Sequence, residues 1–246
     1  MLRKATLLGL LGLALSRCIY AAPDPAEILR NSDLARGGGL PGIQWQVQLR
    51  AVDGDKVVEQ GLTVKAVPDN SLAEFFAPPN IADQKLLMVG RNMWFIRSGL
   101  RRPVPISPRQ RLLGQASNGD VAATNYAGDY EGKLLGIEEI EGQEVYKLEL
   151  TARNDAVTYP RILYWVSVER GLGMKAEFYT VSGRVFKAAR FEYDNAIEYQ
   201  GAHIPFVSRM VIQDQVNPGR ETTLTYSDVE AVRLPRRTFN VNFLIR

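Results

Sequence analysis

The sequence predicts a mainly β protein built on one large antiparallel sheet with few helices. Residues 43–50 alternate apolar and polar side chains without a break, which is typical of a strand with one buried face. Hairpin turns recur along the chain, and only residues 99–131 interrupt the rhythm for long. About a dozen strands follow one another, and a sheet of that size must curl, split or close on itself.

One helix is predicted before the sheet. Asp24 can cap its start, Pro25 suits the first helical position, and Glu27 occupies the capping-box position. The helix should run to about Arg36 and end at the glycines of residues 37–39, because glycine commonly terminates helices.

Strand patterning dominates the rest of the chain. Strands are predicted at residues 43–50, 57–67, 71–77, 84–90, 92–98, 133–140, 144–152, 159–168, 173–181, 184–194, 203–216, 220–230 and 239–244. Within the interruption, residues 109–115 and 121–125 could form short helices, the second capped by Ser117 or Asn118. Long insertions in compact domains are often functional, so residues 99–131 are a candidate functional segment.

Residues 1–21 have the three parts of a secretory signal peptide. Arg3 and Lys4 form a positive start, residues 5–16 are uncharged and mostly apolar, and Ala21 precedes a cleavage site. The apolar run is too short to span a bilayer, which takes about 20 residues. We therefore expect a cleaved, periplasmic protein with a single domain at residues 22–246.

Cleavage would also change the chemistry of the chain. Cys18 is the only cysteine, and Arg17 stands where a lipidation site needs a small residue, so lipidation at Cys18 is disfavoured. Removing the three basic residues of the leader leaves 27 basic and 27 acidic residues. A neutral chain without a thiol predicts neither a nucleic-acid partner nor a redox site.

Few residues are available for catalysis or metal binding. His203 is the only histidine, and it begins a predicted strand without a serine-nucleophile motif elsewhere. No metal site or cofactor is expected. Carboxylates cluster between Asp129 and Glu144, where a glycosidase-like pair is one interpretation and a solvated hairpin is the stronger one.

The sharpest charge feature is a run of arginines in the interruption. Five lie within fifteen residues that contain no acidic residue: Arg97, Arg101, Arg102, Arg109 and Arg111. Because the guanidinium group binds phosphate or carboxylate with two hydrogen bonds, the run predicts contact with anionic head groups or an acidic partner. A solvated loop explains the pattern equally well.

Large aromatic residues occur on most strands. The candidates for lining an apolar cavity are Trp45, Trp94, Phe95, Trp165, Phe178 and Phe191. A curved sheet lined by such residues forms a trough if its own core does not fill the space. The pattern alone does not separate that trough from an ordinary sandwich core, and alternation brings only some of these residues inward.

Residues 86–246 contain sequence blocks whose order and spacing resemble the LolA-like family of outer-membrane lipoprotein-sorting proteins. The N-terminal part is compatible with that family but less distinctive. The blocks are Met93-Trp94-Phe95, Ser117-Asn118-Gly119-Asp120-Val121-Ala122, Asp129-Tyr130, Leu134-Leu135-Gly136, Ile140-Glu141-Gly142, Tyr146-Lys147-Leu148, Val157-Thr158-Tyr159-Pro160-Arg161-Ile162, Trp165-Val166, Phe178-Tyr179, Ser182-Gly183-Arg184 and Lys187.

This resemblance implies an incomplete, strongly curved β-barrel around an apolar cavity, with helices acting as a lid. It also implies a carrier for acyl chains of lipids or lipoproteins, with an inner-membrane transporter or an outer-membrane acceptor as partner. The alternative hypotheses are a non-catalytic adaptor of an envelope transport complex, docked through residues 97–111, and a hydrolase that uses carboxylates.

Overall fold

The computed structural model describes residues 23–122 and 124–245. The predicted signal peptide, including Cys18 and the cleavage site after Ala21, lies outside these described residues.

The first described element is the helix α1, Pro25–Leu34. The Asp24 side chain accepts a hydrogen bond from the Ala26 N–H at 3.0 Å, as a capping residue should. The helix ends two residues before the predicted position, and Gly37 then turns the chain with a φ of 86°. Ile28 and Leu29 of α1 are buried against the sheet.

Seventeen strands follow within the described residues, and thirteen of them form one antiparallel sheet. They are β1 Ile43–Asp53, β2 Lys56–Val67, β3 Asn70–Ala77, β4 Lys85–Val89, β5 Asn92–Ile96, β6 Val104–Ile106, β7 Arg111–Leu113, β8 Ala116–Ser117, β9 Tyr130–Ile140, β10 Gln143–Ala152, β11 Arg161–Ser167, β12 Gly173–Tyr179, β13 Val185–Glu192, β14 Asn195–Tyr199, β15 Ala202–Phe206, β16 Arg209–Asp214 and β17 Arg220–Ala231.

The sheet is an open barrel with two free edges. Its strand order is β6-β5-β4-β3-β2-β1-β17-β16-β13-β12-β11-β10-β9, so that β1 pairs with β17 and the edges are β6 and β9. The predicted mainly β, incomplete-barrel fold is therefore confirmed. We call the face that carries the main hydrophobic core the inner face, and the opposite one the outer face.

The segment between β6 and β9 covers the inner face, and we call residues 107–122 and 124–129 the lid segment. It holds the β7–β8 hairpin and two short helices, α2 Asn118–Val121 and α3 Tyr126–Asp129. The predicted helix at residues 109–115 is wrong, because Gly114 has a φ of 52° and turns the chain into a hairpin. The second predicted helix, at residues 121–125, is misplaced, because it overlaps the observed helices only at Val121, the last residue of α2; its predicted cap, Ser117, is the N-cap of α2.

The predicted strand at residues 203–216 is in fact two strands. β15 forms a separate hairpin with β14, whereas β16 joins the main sheet beside β13 and β17. The chain leaves the hairpin at Val207, whose N–H donates to the Ala35 carbonyl, and at Ser208, whose N–H donates to the Glu192 carbonyl. These two tertiary hydrogen bonds break the strand, and β14 was not predicted.

The last predicted strand, at residues 239–244, is also wrong. The chain there forms a 3-10 turn, Arg236–Phe239, and the short helix α4, Val241–Leu244. The Asn240 side chain caps α4 by accepting from the Asn242 N–H at 2.9 Å. Phe239 packs on the outer face with Leu72, Leu87 and Ile96, so this segment covers the sheet instead of extending it.

Candidate functional site

The space between the inner face and its cover is the candidate binding site. Val121 of α2 and Tyr126 of α3 join the same hydrophobic core as Ile28 and Leu29 of α1. Polar contacts connect the covering elements to one another. Asp33 Oδ2 accepts a hydrogen bond from the Ala127 N–H at 2.9 Å, which links α1 to α3. The cover is therefore one interconnected layer above the sheet.

The β7–β8 hairpin lies directly on the sheet. The Gln115 N–H donates to Thr222 Oγ1 of β17 at 2.8 Å. A Cβ atom added to Gly114 would lie 2.2 Å from Thr222 Oγ1 and 2.6 Å from the Ala51 Cβ, so only glycine allows this approach. The hairpin thus seats the lid segment against β1 and β17.

A buried ion pair lies beneath the lid segment. Lys187 of β13 is buried, and its Nζ lies 3.0 Å from Asp120 Oδ2 of α2. The same ammonium donates to the Gln115 carbonyl at 2.8 Å and to Ser117 Oγ at 3.4 Å. All three acceptors belong to the lid segment, whereas the lysine belongs to the sheet.

Aromatic rings and a phenol surround this ion pair. Tyr159 donates its hydroxyl proton to the Asp120 carboxylate at 2.7 Å, and its ring centroid lies 4.6 Å from Lys187 Nζ. The rings of Phe178 and Phe186 lie 5.3 and 5.9 Å from the same nitrogen. Burial lowers the pKa of Lys187 and raises the pKa of Tyr159, because both charged forms lose their hydration.

A second buried polar group joins α1 to the lid segment. Burial raises the pKa of Asp33 to about 7, against the lowering effect of hydrogen bonds from the backbone of α3. The guanidinium carbon of Arg36 lies 4.6 Å from the Phe191 ring centroid and 5.1 Å from that of Tyr126. Burial also raises the pKa of Tyr126 to about 12.

A cavity of about 610 Å³ opens beside these groups. Asp120, Tyr159 and Arg36 contribute to its wall, together with Asp129 and Arg91 from the lid segment and the β4–β5 turn. Its lining is therefore mixed, with charged groups among apolar ones. A site of this kind can accept the polar end of an amphiphile, while the adjoining core is apolar.

The six predicted lining residues divide between the two faces. Trp45, Phe95, Phe178 and Phe191 belong to the inner-face core or pack against it. Trp94 lies on the outer face and packs in the cluster around Phe239. The structure thus brings four of the six together beneath the cover.

Trp165 is 4% exposed but lies outside the main core. It is in register between Lys147 and Lys175 of the neighbouring strands, and their ammonium groups lie 5.3 and 4.5 Å from its ring centroid. Its indole N–H donates to Glu138 Oε2 at 2.8 Å. The long lysine side chains therefore bury this tryptophan on the outer face.

The five predicted arginines do not converge on one point. Arg97 pairs with Asp83 at 3.3 Å, and Arg109 Nε donates to the Val157 carbonyl at 2.8 Å. Arg101, Arg102 and Arg111 are exposed. None of these three makes an ion pair with a residue that the structure describes. They form the unpaired part of the run, and Arg101 and Arg102 are adjacent in it.

Sequence reasoning missed the ion pair as a functional feature. In the sequence, the only distinction of Asp120, Tyr159 and Lys187 is that they belong to the blocks that resemble the LolA-like family. One signal could have revealed Lys187: it precedes Ala189 and Phe191 at the two-residue spacing of inward positions on β13. A lysine in that series is either an exposed end or a buried charge that needs a partner.

The described residues contain neither a cluster of metal ligands nor a helix that could cross a membrane. Within residues 23–122 and 124–245, no group of three or more His, Cys, Asp or Glu side chains is arranged to hold a metal ion. In the same part of the chain, no helix combines the length and the apolar character that a membrane crossing requires.

By its fold, the protein belongs to the class of incomplete antiparallel barrels that are covered by short helices. A family model described as an uncharacterized protein matches residues 68–246. No curated protein matches the chain. A LolA superfamily protein from Nitrosomonas europaea is 33% identical, with a TM-score of 0.81 over 90% of this chain and 100% of its own. The chain belongs to the LolA superfamily.

Two more distant structures share the fold. A domain from Vibrio parahaemolyticus, named for outer-membrane lipoprotein sorting, is 20% identical, with a TM-score of 0.76 over 90% of this chain and 98% of its own. A DUF1329 family protein from Desulfovibrio piger is 21% identical, with a TM-score of 0.73 over 90% of this chain and 100% of its own.

Proposed function

We propose that the protein is a periplasmic carrier that binds acyl chains of lipids or lipoproteins without any covalent step. The observation that carries the proposal is the inner face itself, an apolar surface with Trp45, Phe178 and Phe191 beneath a cover of short elements. The superfamily membership supports it, as does the name of the Vibrio parahaemolyticus neighbour, which refers to outer-membrane lipoprotein sorting.

In the proposed mechanism, an acyl chain takes the place of the lid segment on the inner face. Each methylene group of the acyl chain that leaves water contributes about 0.8 kcal/mol to the free energy of binding. The bound acyl chain would therefore replace the apolar contacts that Val121 and Tyr126 lose when the lid segment moves. Because the contacts are exchanged and not added, binding and release can both be reversible.

The direct test is to purify the protein from the periplasm and analyse its lipid content by mass spectrometry. We expect acyl lipids in the extract and exchange with lipid vesicles. Phe178→Ala, which shortens a fully buried inner-face side chain, should bind less lipid, whereas Trp94→Ala on the outer face serves as the control. Repeated absence of bound or exchangeable lipid would contradict the proposal.

The export step has its own test. We propose that the leader is removed after Ala21. The intact mass of the periplasmic protein should therefore equal that of a chain whose first residue is Ala22. A measured mass that includes Cys18 and attached acyl groups would instead show that the protein is tethered to the membrane.

A second candidate function is a non-catalytic adaptor that docks on a membrane partner. The favouring observation is the β5–β6 loop, where Arg101 and Arg102 are exposed beside Leu100, itself 40% exposed. Arg101→Glu with Arg102→Glu should then abolish co-purification with that partner. Arg233→Glu, an exposed arginine in the C-terminal segment, should not. Unchanged association of the double variant would reject the adaptor.

A further inference from the structure

The contacts of Lys187 are divided unequally between the cover and the sheet. Its hydrogen bonds go to the Gln115 carbonyl, to Ser117 Oγ and to Asp120 Oδ2, and all of these lie in the lid segment. Among the described residues, those of the sheet and of the loop before β11 contact the ammonium through aromatic rings.

Displacement of the lid segment would therefore leave a charge on the apolar inner face without a counter-ion. An unpaired ammonium in such surroundings is strongly disfavoured, whereas one paired with an anion is tolerated. A neutral acyl chain that displaced the lid segment would leave this cost unmet. An acyl chain with an anionic head group would supply the missing partner.

We propose that Lys187 is an anion-binding residue, and that the carboxylate or phosphate of an acyl amphiphile replaces Asp120 as its counter-ion when cargo is bound. This inference rests on the proposed carrier function. It predicts a chemical preference within that function: anionic lipids should bind better than neutral lipids of the same chain length.

The geometry beside the ion pair fits such an exchange. Asp120 and Tyr159, which both contact Lys187, also line the 610 Å³ cavity. The cavity therefore reaches two of the side chains that contact the ammonium, including the carboxylate that an anion would replace. The Tyr159 hydroxyl, which now donates to Asp120, could donate to the incoming anion in the same way.

Arg36, the other buried cation in the part of the chain that the structure describes, is less suited to this role. It follows α1 directly, and its backbone carbonyl accepts a hydrogen bond from the Thr124 N–H of the lid segment at 3.4 Å. Arg36 therefore belongs to the cover, whereas Lys187 is fixed on β13 of the sheet. Only the lysine stays in place on the surface that the cargo would occupy.

The test compares two fluorescent probes that differ in one charge, dansylaminoundecanoic acid and its methyl ester, at neutral pH. The mature full-length protein should bind the acid about 10- to 100-fold more tightly than the ester, as expected for a hydrogen bond between charged groups. Lys187→Met should bring this ratio close to one. Asp120→Asn should tighten binding of the acid, because it removes the competing carboxylate.

Matched controls separate the specific effect from loss of structure. Lys85→Met removes a lysine of the outer face, where Glu74 keeps Lys65 as a partner at 2.8 Å, and it should leave the ratio unchanged. If Lys187→Met does not fold, the double variant with Asp120→Asn removes both charges and is expected to lose the preference too. Competition by dodecanoate, dodecyl phosphate and dodecanol distinguishes carboxylate from phosphate.

Two results would overturn the inference while leaving the carrier function intact. One is equal binding of acid and ester by the wild-type protein. The other is a ratio that survives in a folded variant without Lys187. If the wild-type protein binds neither probe, the proposed carrier function fails, and the inference fails with it.

Discussion

Lys187 of β13 and Asp120 of α2 form an ion pair of 3.0 Å that joins the sheet to its cover. Both side chains are almost fully buried, with exposed fractions of 2% and 4%. The pair therefore couples the stability of the closed arrangement to two charges that lie far apart in the sequence.

The first prediction concerns the stability of the protein when this pair is broken. Lys187→Met should lower the free energy of unfolding by about 3 to 5 kcal/mol, because it leaves a buried carboxylate without its cation. Combining it with Asp120→Asn should recover part of the loss: the amide oxygen can still accept from Tyr159, but the amide nitrogen cannot accept from the Ser117 N–H, which donates to Asp120 Oδ2. Urea denaturation measures both variants; a single-variant cost below 1 kcal/mol would argue against the pair.

Gly119 provides a second prediction, about the fit of the lid segment. An added Cβ would lie 2.1 Å from Thr158 Oγ1, so Gly119→Ala should destabilise the protein by about 1 to 3 kcal/mol. Thr158→Ala removes the clashing oxygen and leaves its own Cβ 3.2 Å away. The double variant should therefore lose less stability than the two single losses added together. Strict additivity in thermal denaturation would contradict this close contact.

The third prediction is a pH dependence caused by Asp33. Its pKa of about 7 lies above the ordinary value of 3.8, so between these values the folded protein holds a proton that the unfolded chain has lost. The free energy of unfolding should therefore fall as the pH rises from about 4 to about 7.

Asp33→Asn tests this directly, because the amide carries no charge and can still accept from the Ala127 N–H. The wild-type protein should lose about 2 to 3 kcal/mol more stability than the variant between pH 5 and pH 8. Denaturant titrations at the two pH values measure the difference. Parallel pH profiles would show that Asp33 does not titrate in this range.

Local signals predicted much of the fold. The alternation in residues 43–50 correctly predicts the first part of β1, and the Asp24 side chain caps α1 as predicted. The predictions of secondary structure failed where contacts between residues far apart in the sequence determine the backbone conformation. The hairpin turn at Gly114 is held by Thr222, 108 positions along the chain, and the break at Val207 is fixed by Ala35.

The candidate site was only partly predictable for the same reason. Alternation shows that Trp94 faces away from Phe95, but it does not tell which of the two lies inside. Hydrophobicity suggests an inward Trp165, yet Lys147 and Lys175 bury it on the outer face. Lys187 is polar in the sequence, and only the folded chain brings Asp120 to it.

The three tryptophans of the protein can serve as fluorescent reporters of where an acyl chain binds. Trp94→Phe with Trp165→Phe leaves only Trp45 on the inner face, and Trp45→Phe with Trp94→Phe leaves only Trp165 on the outer face. A brominated fatty acid should quench the fluorescence of the first variant and not that of the second. Absence of quenching in the first variant, or equal quenching in both, would contradict binding on the inner face.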